Sequence, residues 1–171
     1  MRKIILSLLI LIVIVGVLIM VFSITRKLNV NTKQNFEYIT ALTLDSIEHK
    51  IDLQSADTTL VFVFNSECDI CVIELEELLV DYHLFKTFRM FILSRQSFKE
   101  LLELGTYYDI WHYSNINIIK INEGKTEEPF VSSPNPSVFV FDTNGKLIHS
   151  KKGYSTPEIL IQQIRKKDEN R

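Results

Sequence analysis

Cysteine is scarce in this chain of 171 residues, which has two. Two cysteines cannot staple a small scaffold, and a domain of this size does not need stapling. They stand three apart, at Cys68 and Cys71. A bridge between them closes a very small loop and adds little stability by loop entropy, so reactivity explains the pair better than structure does. A basic stripe is missing too. Setting aside Arg2, Lys3, Arg26 and Lys27 leaves 15 of the 19 basic residues against 21 acidic ones, a net charge of about −6, which argues against nucleic acid as a partner. The tail Arg165-Lys166-Lys167 runs straight into Asp168-Glu169 and reads as a solvated helix end. Metal-ligand spacing is absent. His49, His83, His112 and His149 lie far from one another and from the cysteines, which supply two of the four ligands zinc would need. There are no internal repeats and no low-complexity segments.

What the chain has first is a long apolar run. Ile4 to Ile24 is 21 residues without a charge, interrupted by Ser7, Gly16 and Ser23. As a helix it measures roughly 31 Å, enough to cross a hydrocarbon core. A cleaved signal peptide would have a shorter apolar region and a small-residue cleavage site, and Ile19-Met-Val-Phe-Ser-Ile24 offers none. No cysteine lies nearby for lipid attachment. The expected organisation is therefore a membrane anchor over 1–27, a polar stem over 28–35 and a folded domain over 36–171. Arg2 and Lys3 before the span nearly balance Arg26 and Lys27 after it. A short tail, one span and then a domain places the domain on the extracytoplasmic side.

The cysteines lie where a strand hands over to a helix. Thr59-Leu-Val-Phe-Val-Phe-Asn65 is a buried-strand pattern with β-branched and aromatic residues. Val72-Ile-Glu-Leu-Glu-Glu-Leu-Leu-Val80 is rich in helix formers, so a helix is expected over 70–83, with Val72, Leu75, Leu78 and Leu79 on its apolar face and Glu74, Glu76 and Glu77 elsewhere. A helix N-terminus has free N–H groups and a positive dipole end, which stabilise a thiolate.

Further strands are expected at 36–43, 47–53, 88–93 and 117–121, and a helix over 98–107 capped by Ser97 or Ser94 and continuing irregularly to Trp111. Residues 122–135 read as loop. Ser137-Val-Phe-Val-Phe141 and Lys146-Leu-Ile-His-Ser150 flank Asp142-Thr-Asn-Gly145, a hairpin with glycine available for positive φ. Thr156 and Pro157 open a last helix as N-cap and first residue.

In this order the chain resembles the thioredoxin superfamily, in particular its membrane-anchored TlpA/ResA-like branch. The resemblance covers about residues 36–167. It rests on the strand–CxxC–helix unit at 60–80, on Asn135-Pro136 directly before a strand, on the Phe-Asp-Thr-Asn-Gly-Lys-Leu-Ile hairpin, and on the N-terminal span and extra strand pair. It implies an α/β thioredoxin-like fold, a central mixed sheet flanked by helices. It implies a cis Asn135–Pro136 bond facing the cysteines, where backbone pairs with an incoming substrate strand. Two positions depart from the pattern. Such reductases commonly have Trp before the first cysteine and Pro before the second, and this chain has Glu67 and Ile70. Carboxylates at Glu67 and Asp69 oppose a thiolate by like-charge repulsion, unless geometry points them into solvent, and favour a reductant over an oxidant.

The expected activity is that of a membrane-tethered thiol–disulfide oxidoreductase that reduces protein disulfides outside the cytoplasm. Cys68 attacks, Cys71 resolves the mixed disulfide, and a membrane electron donor recharges the pair with no small-molecule cofactor. Glu67, Glu74 and Glu76 are the candidates to move the proton of Cys71, with Glu67 the closest in sequence and the two others read mainly as solvated helix residues. Trp111, Tyr107, Tyr108 and Tyr113 read as packing over the second helix, with a substrate groove as the alternative. The competing reading of the whole chain is an anchored binding module that uses the cysteines as a redox switch or metal chelator. A peroxidase would need Thr-x-x-Cys, which Cys68 lacks.

Overall fold

The computed structural model describes residues 36–169. The expected span Ile4 to Ile24, the anchor 1–27 and the stem 28–35 lie outside the described residues. Among the described residues no helix is long and apolar enough to cross a membrane.

The chain runs β1 (Tyr38–Leu42), β2 (Glu48–Asp52), β3 (Thr59–Phe64), α1 (Asp69–Val80), β4 (Arg89–Ser94), α2 (Phe98–Tyr107), β5 (Ile116–Ile121), β6 (Ser137–Phe141), β7 (Leu147–Lys152) and α3 (Pro157–Glu169). Single 3-10 turns lie at Tyr82–Leu84 and Ile110–His112. The strands form one seven-stranded mixed sheet in the order β2-β1-β5-β4-β3-β6-β7. β3, β4 and β5 are parallel neighbours, and every other pairing is antiparallel. This is a thioredoxin-like architecture preceded by the extra β1–β2 hairpin.

All six residues of β3 are buried, as a strand covered on both faces must be. Leu60, Phe62 and Phe64 join one apolar cluster with Leu75 and Leu78 of α1, Leu101 and Leu104 of α2, and Leu160, Ile161 and Ile164 of α3. The 122–135 loop contributes Phe130, whose ring meets those of Phe36, Phe139 and Phe141 at 5.1–6.1 Å. The loop is tied to β1 by Glu127, whose carboxylate accepts from both the N–H and the hydroxyl of Thr40 at 2.7 Å.

Helix ends follow local chemistry. Ser97, not Ser94, caps α2, in a capping box with Glu100. The expected helix over 70–83 ends its α-helical form at Val80 and finishes as the 3-10 turn Tyr82–Leu84, after which Phe85 is fully buried. Gly145 closes the β6–β7 hairpin at φ +72°, and a Cβ there would stand 2.6 Å from the Phe36 carbonyl oxygen. Gly145→Ala is therefore expected to cost about 1–3 kcal/mol, from left-handed strain together with the clash, read as a lower urea midpoint with unchanged slope.

Candidate active site

The turn leaving β3 is shaped by side-chain hydrogen bonds. Asn65 Oδ1 accepts from the Glu67 N–H at 2.9 Å, and its carbonyl accepts from the Cys68 N–H at 3.1 Å. Ser66 N–H donates to Gln96 Oε1 at 2.9 Å, which fixes the turn to the β4–α2 connection.

This places Cys68 at the N-cap of α1, in extended conformation at φ −103° and ψ 103°. Its Sγ accepts from the Cys71 N–H at 3.3 Å. Cys68 occupies the position at which serine, threonine or aspartate usually satisfies the first orphan amides of a helix. Cys68 as a residue is partly exposed, whereas Cys71, one turn further on, is fully buried, and both are free thiols. Burial pushes the Cys71 thiol up to about 12, helped by its hydrogen bond with Cys68 and by the negative charges of Cys68 and Glu74. At neutral pH Cys71 is therefore an inert thiol until something removes its proton.

Glu74 is the feature that the helix pattern misplaced. The polar face expected for Glu74, Glu76 and Glu77 holds for Glu76, which is exposed and accepts from the Tyr108 hydroxyl at 3.1 Å. Glu74 is instead 0 % exposed, on the same side of α1 as Cys71, Leu75 and Leu78. The spacing itself carried the signal: 71, 74, 75 and 78 form an i, i+3, i+4, i+7 stripe, and only the identity of Glu74 disguised it. Neither carboxylate oxygen has a hydrogen-bond partner of good geometry. Desolvation raises the Glu74 carboxyl to about 7; the nearby Ser155 backbone N–H pulls it down, Glu77 pushes it up and Lys151 pulls it down.

A buried carboxylate of this kind makes the fold pH-dependent. The rise from 4.5 to about 7 corresponds to about 3 kcal/mol of stability. That contribution is fully present below about pH 4.5 and is lost as pH rises through about 7. Glu74→Gln is expected to flatten this loss in the reduced protein, measured as the difference between urea unfolding free energies at pH 5 and pH 8.

Glu67, Asp69 and Ile70 are exposed, so the two carboxylates flanking Cys68 meet solvent, and the carboxylate acting on Cys71 is Glu74. The Asn135–Pro136 bond is cis. Ser137 pairs with Val63, so antiparallel register carries Pro136 and Asn135 alongside Phe64 and Asn65, at the root of the cysteine turn. A second cis bond, Glu128–Pro129, is marked by nothing in the sequence. Among the aromatic residues, Trp111 packs on α2 at Gly105, where its ring occupies the space of a Cβ, and Tyr113 stacks edge-on with Tyr82 at 4.5 Å. Tyr107 and Tyr108 instead line a cleft of about 450 Å³ between α1 and α2, together with Ser66, Val72, Glu76 and Leu104. Ile70 and Ile73 expose about half their surface, 52 % and 49 %, beside the cysteines. Among the described residues no group of three or more His, Cys, Asp or Glu is placed to hold a metal ion.

No protein-family profile matches the chain, and no curated protein does. Solved structures do match. The exposed lipoprotein thioredoxin Etrx1 of Streptococcus pneumoniae aligns over 78 % of this chain and 99 % of its own, at 16 % identity and a TM-score of 0.55. A secreted Mycobacterium tuberculosis disulfide oxidoreductase homologous to Escherichia coli DsbE aligns over 74 % and 94 %, at 12 % identity and 0.56. A thiol peroxidase of Chromobacterium violaceum aligns over 81 % and 87 %, at 12 % identity and 0.61. The chain thus has the thioredoxin fold, shared by disulfide oxidoreductases and thiol peroxidases alike.

Proposed function

We propose that this protein is a membrane-tethered thiol–disulfide oxidoreductase that reduces disulfides in partner proteins outside the cytoplasm. The observation that carries the reading is the asymmetry of the pair: a partly exposed Cys68 at a helix N-cap, and a fully buried Cys71 with the buried Glu74 one turn beyond it. The apolar run Ile4 to Ile24 supports the tether, and the exposed lipoprotein thioredoxin and the secreted disulfide oxidoreductase named above support the location.

The chemistry follows from the two environments. The Cys68 thiolate attacks a substrate disulfide, forming a Cys68–substrate bond and releasing one substrate thiolate. Cys71 then gives its proton to Glu74 while its sulfur attacks the sulfur of Cys68. The bond from Cys68 to the substrate breaks, and the electron pair leaves with the second substrate thiolate. Two electrons have passed from the dithiol to the substrate, and the pair is left as a disulfide. A membrane-bound dithiol donor returns it to the reduced state, so no small-molecule cofactor is needed. Asn135 and Pro136 serve as the backbone edge for the substrate strand, with the exposed Ile70 and Ile73 as apolar contacts.

A Glu74 carboxyl near neutrality suits the acceptor role, because a base works best with a pKa close to the working pH. The test of the reading is the redox midpoint of the Cys68–Cys71 pair in the full chain, equilibrated in detergent against glutathione or dithiothreitol. A value near about −270 mV or lower marks a reductant; one near about −120 mV makes the protein a disulfide donor. If no intramolecular disulfide forms at any poise, the oxidoreductase reading falls.

A further inference from the structure

Three buried polar atoms have no hydrogen-bond partner of good geometry: both carboxylate oxygens of Glu74, one turn from Cys71, and the hydroxyl of Ser155. They come from separate elements, α1 and the turn between β7 and α3. The fold brings the two segments together: the Tyr154 hydroxyl bonds Glu77, one turn from Glu74 on α1, and the neighbouring Ser155 backbone N–H pulls the Glu74 carboxyl down. Ser155 is 5 % exposed, so bulk water does not satisfy its hydroxyl. That hydroxyl is attached one carbon from the Cα of the same residue, and rotation about a single side-chain bond swings it relative to the amide that already faces Glu74.

The turn is fixed at both flanks. Gly153 N–H donates to the Pro136 carbonyl at 2.9 Å. The Tyr154 hydroxyl donates to the Glu77 carboxylate, at 2.8 and 2.6 Å to its two oxygens. Residues 153–155 therefore run from the proline beside the cysteine turn to the helix that carries Cys71 and Glu74.

We propose that Ser155 is a positioning residue for the proton acceptor: its backbone N–H and its hydroxyl form a two-donor cradle for the ionised Glu74 carboxylate. The proposal rests on Glu74 as the acceptor of the Cys71 proton. A hydroxyl suits both halves of the step, because it donates to a carboxylate and, once Glu74 holds the proton, accepts from the acid O–H. A cation in its place would pin Glu74 in the ionised state, and an apolar residue would hold it protonated. The charges facing Glu74 are Glu77 and Cys71 on its own helix and Lys151 on β7; Glu158 of α3 acts on Tyr154 in the same turn.

The experiment uses the reduced full chain mixed with an aromatic disulfide whose released thiolates absorb visible light. The first phase reports attack by Cys68, and the second reports resolution by Cys71, which requires ionised Glu74. Ser155→Ala is expected to move the inflection of the second phase upward by about one pH unit, the size of a lost hydrogen bond to a charged group, with the first phase unchanged. Ser155→Thr, which keeps the hydroxyl, leaves the inflection at its original position. A merely structural role would lower stability and leave the inflection in place. Glu74→Gln is run alongside: if it abolishes the inflection while Ser155→Ala leaves it unmoved, the cradle is overturned and the acceptor stands. If Glu74→Gln leaves the inflection intact, the acceptor itself is overturned, and the cradle with it.

Discussion

Cys71→Ser is expected to arrest the reaction halfway, leaving the chain covalently joined to its substrate. Cys68 still attacks, but serine in the buried position cannot displace the substrate sulfur, so the mixed disulfide accumulates. On a non-reducing gel it appears as a new species, removed by dithiothreitol. Turnover falls by more than about 10³-fold, the scale of losing one member of a nucleophilic pair. Cys68→Ser gives a similar loss of turnover without the adduct, because the sulfur that remains is the one with no access to solvent. The two variants together separate attack from resolution. If Cys68→Ser forms the adduct and Cys71→Ser does not, the two roles are exchanged.

The second large effect is expected for Glu74→Gln. The Cys71 thiol lies at about 12, so almost none of it is thiolate at pH 7, and resolution depends on an acceptor for its proton. Removing that acceptor should slow resolution by about 10²-fold at pH 8, the lower end of what a positioned base contributes. At pH 5 the effect should nearly vanish, because a carboxyl near 7 is already protonated there and accepts nothing. Stopped-flow measurement of the second thiolate released, across pH 5 to 9, checks both limits. An equal loss at every pH would assign Glu74 a packing role instead.

Much of this architecture was legible because local signals and tertiary demand agree. Unbroken Leu60–Phe64 requires a strand covered on both faces, Asp142 to Gly145 requires a hairpin, and Thr156-Pro157 requires a helix start, and each occurs at its place. The cis Asn135–Pro136 bond was legible through resemblance alone, since the dipeptide itself favours trans. Glu74 was misplaced for a physical reason. Pattern reading assigns carboxylates to the wet face because burial is costly, and here α1 bears that cost at a position next to Cys71. Ser155 carries no sequence signal at all, as its neighbourhood is assembled from segments about 80 residues apart in the chain.

The order of the strands also bears on how the protein behaves when crowded. Among the described residues the seven-stranded sheet ends at β2 and β7, and an edge strand can recruit a stray strand from another molecule. β2 reads Glu-His-Lys-Ile-Asp, and β7 ends in the exposed Lys151 and Lys152. Addition of a neighbour at either margin would have to desolvate those charges. The charges carried by β2 and by the end of β7 thus act as guards against self-association through the sheet edges, a protection that counts most at high protein concentration, where collisions between like molecules are frequent.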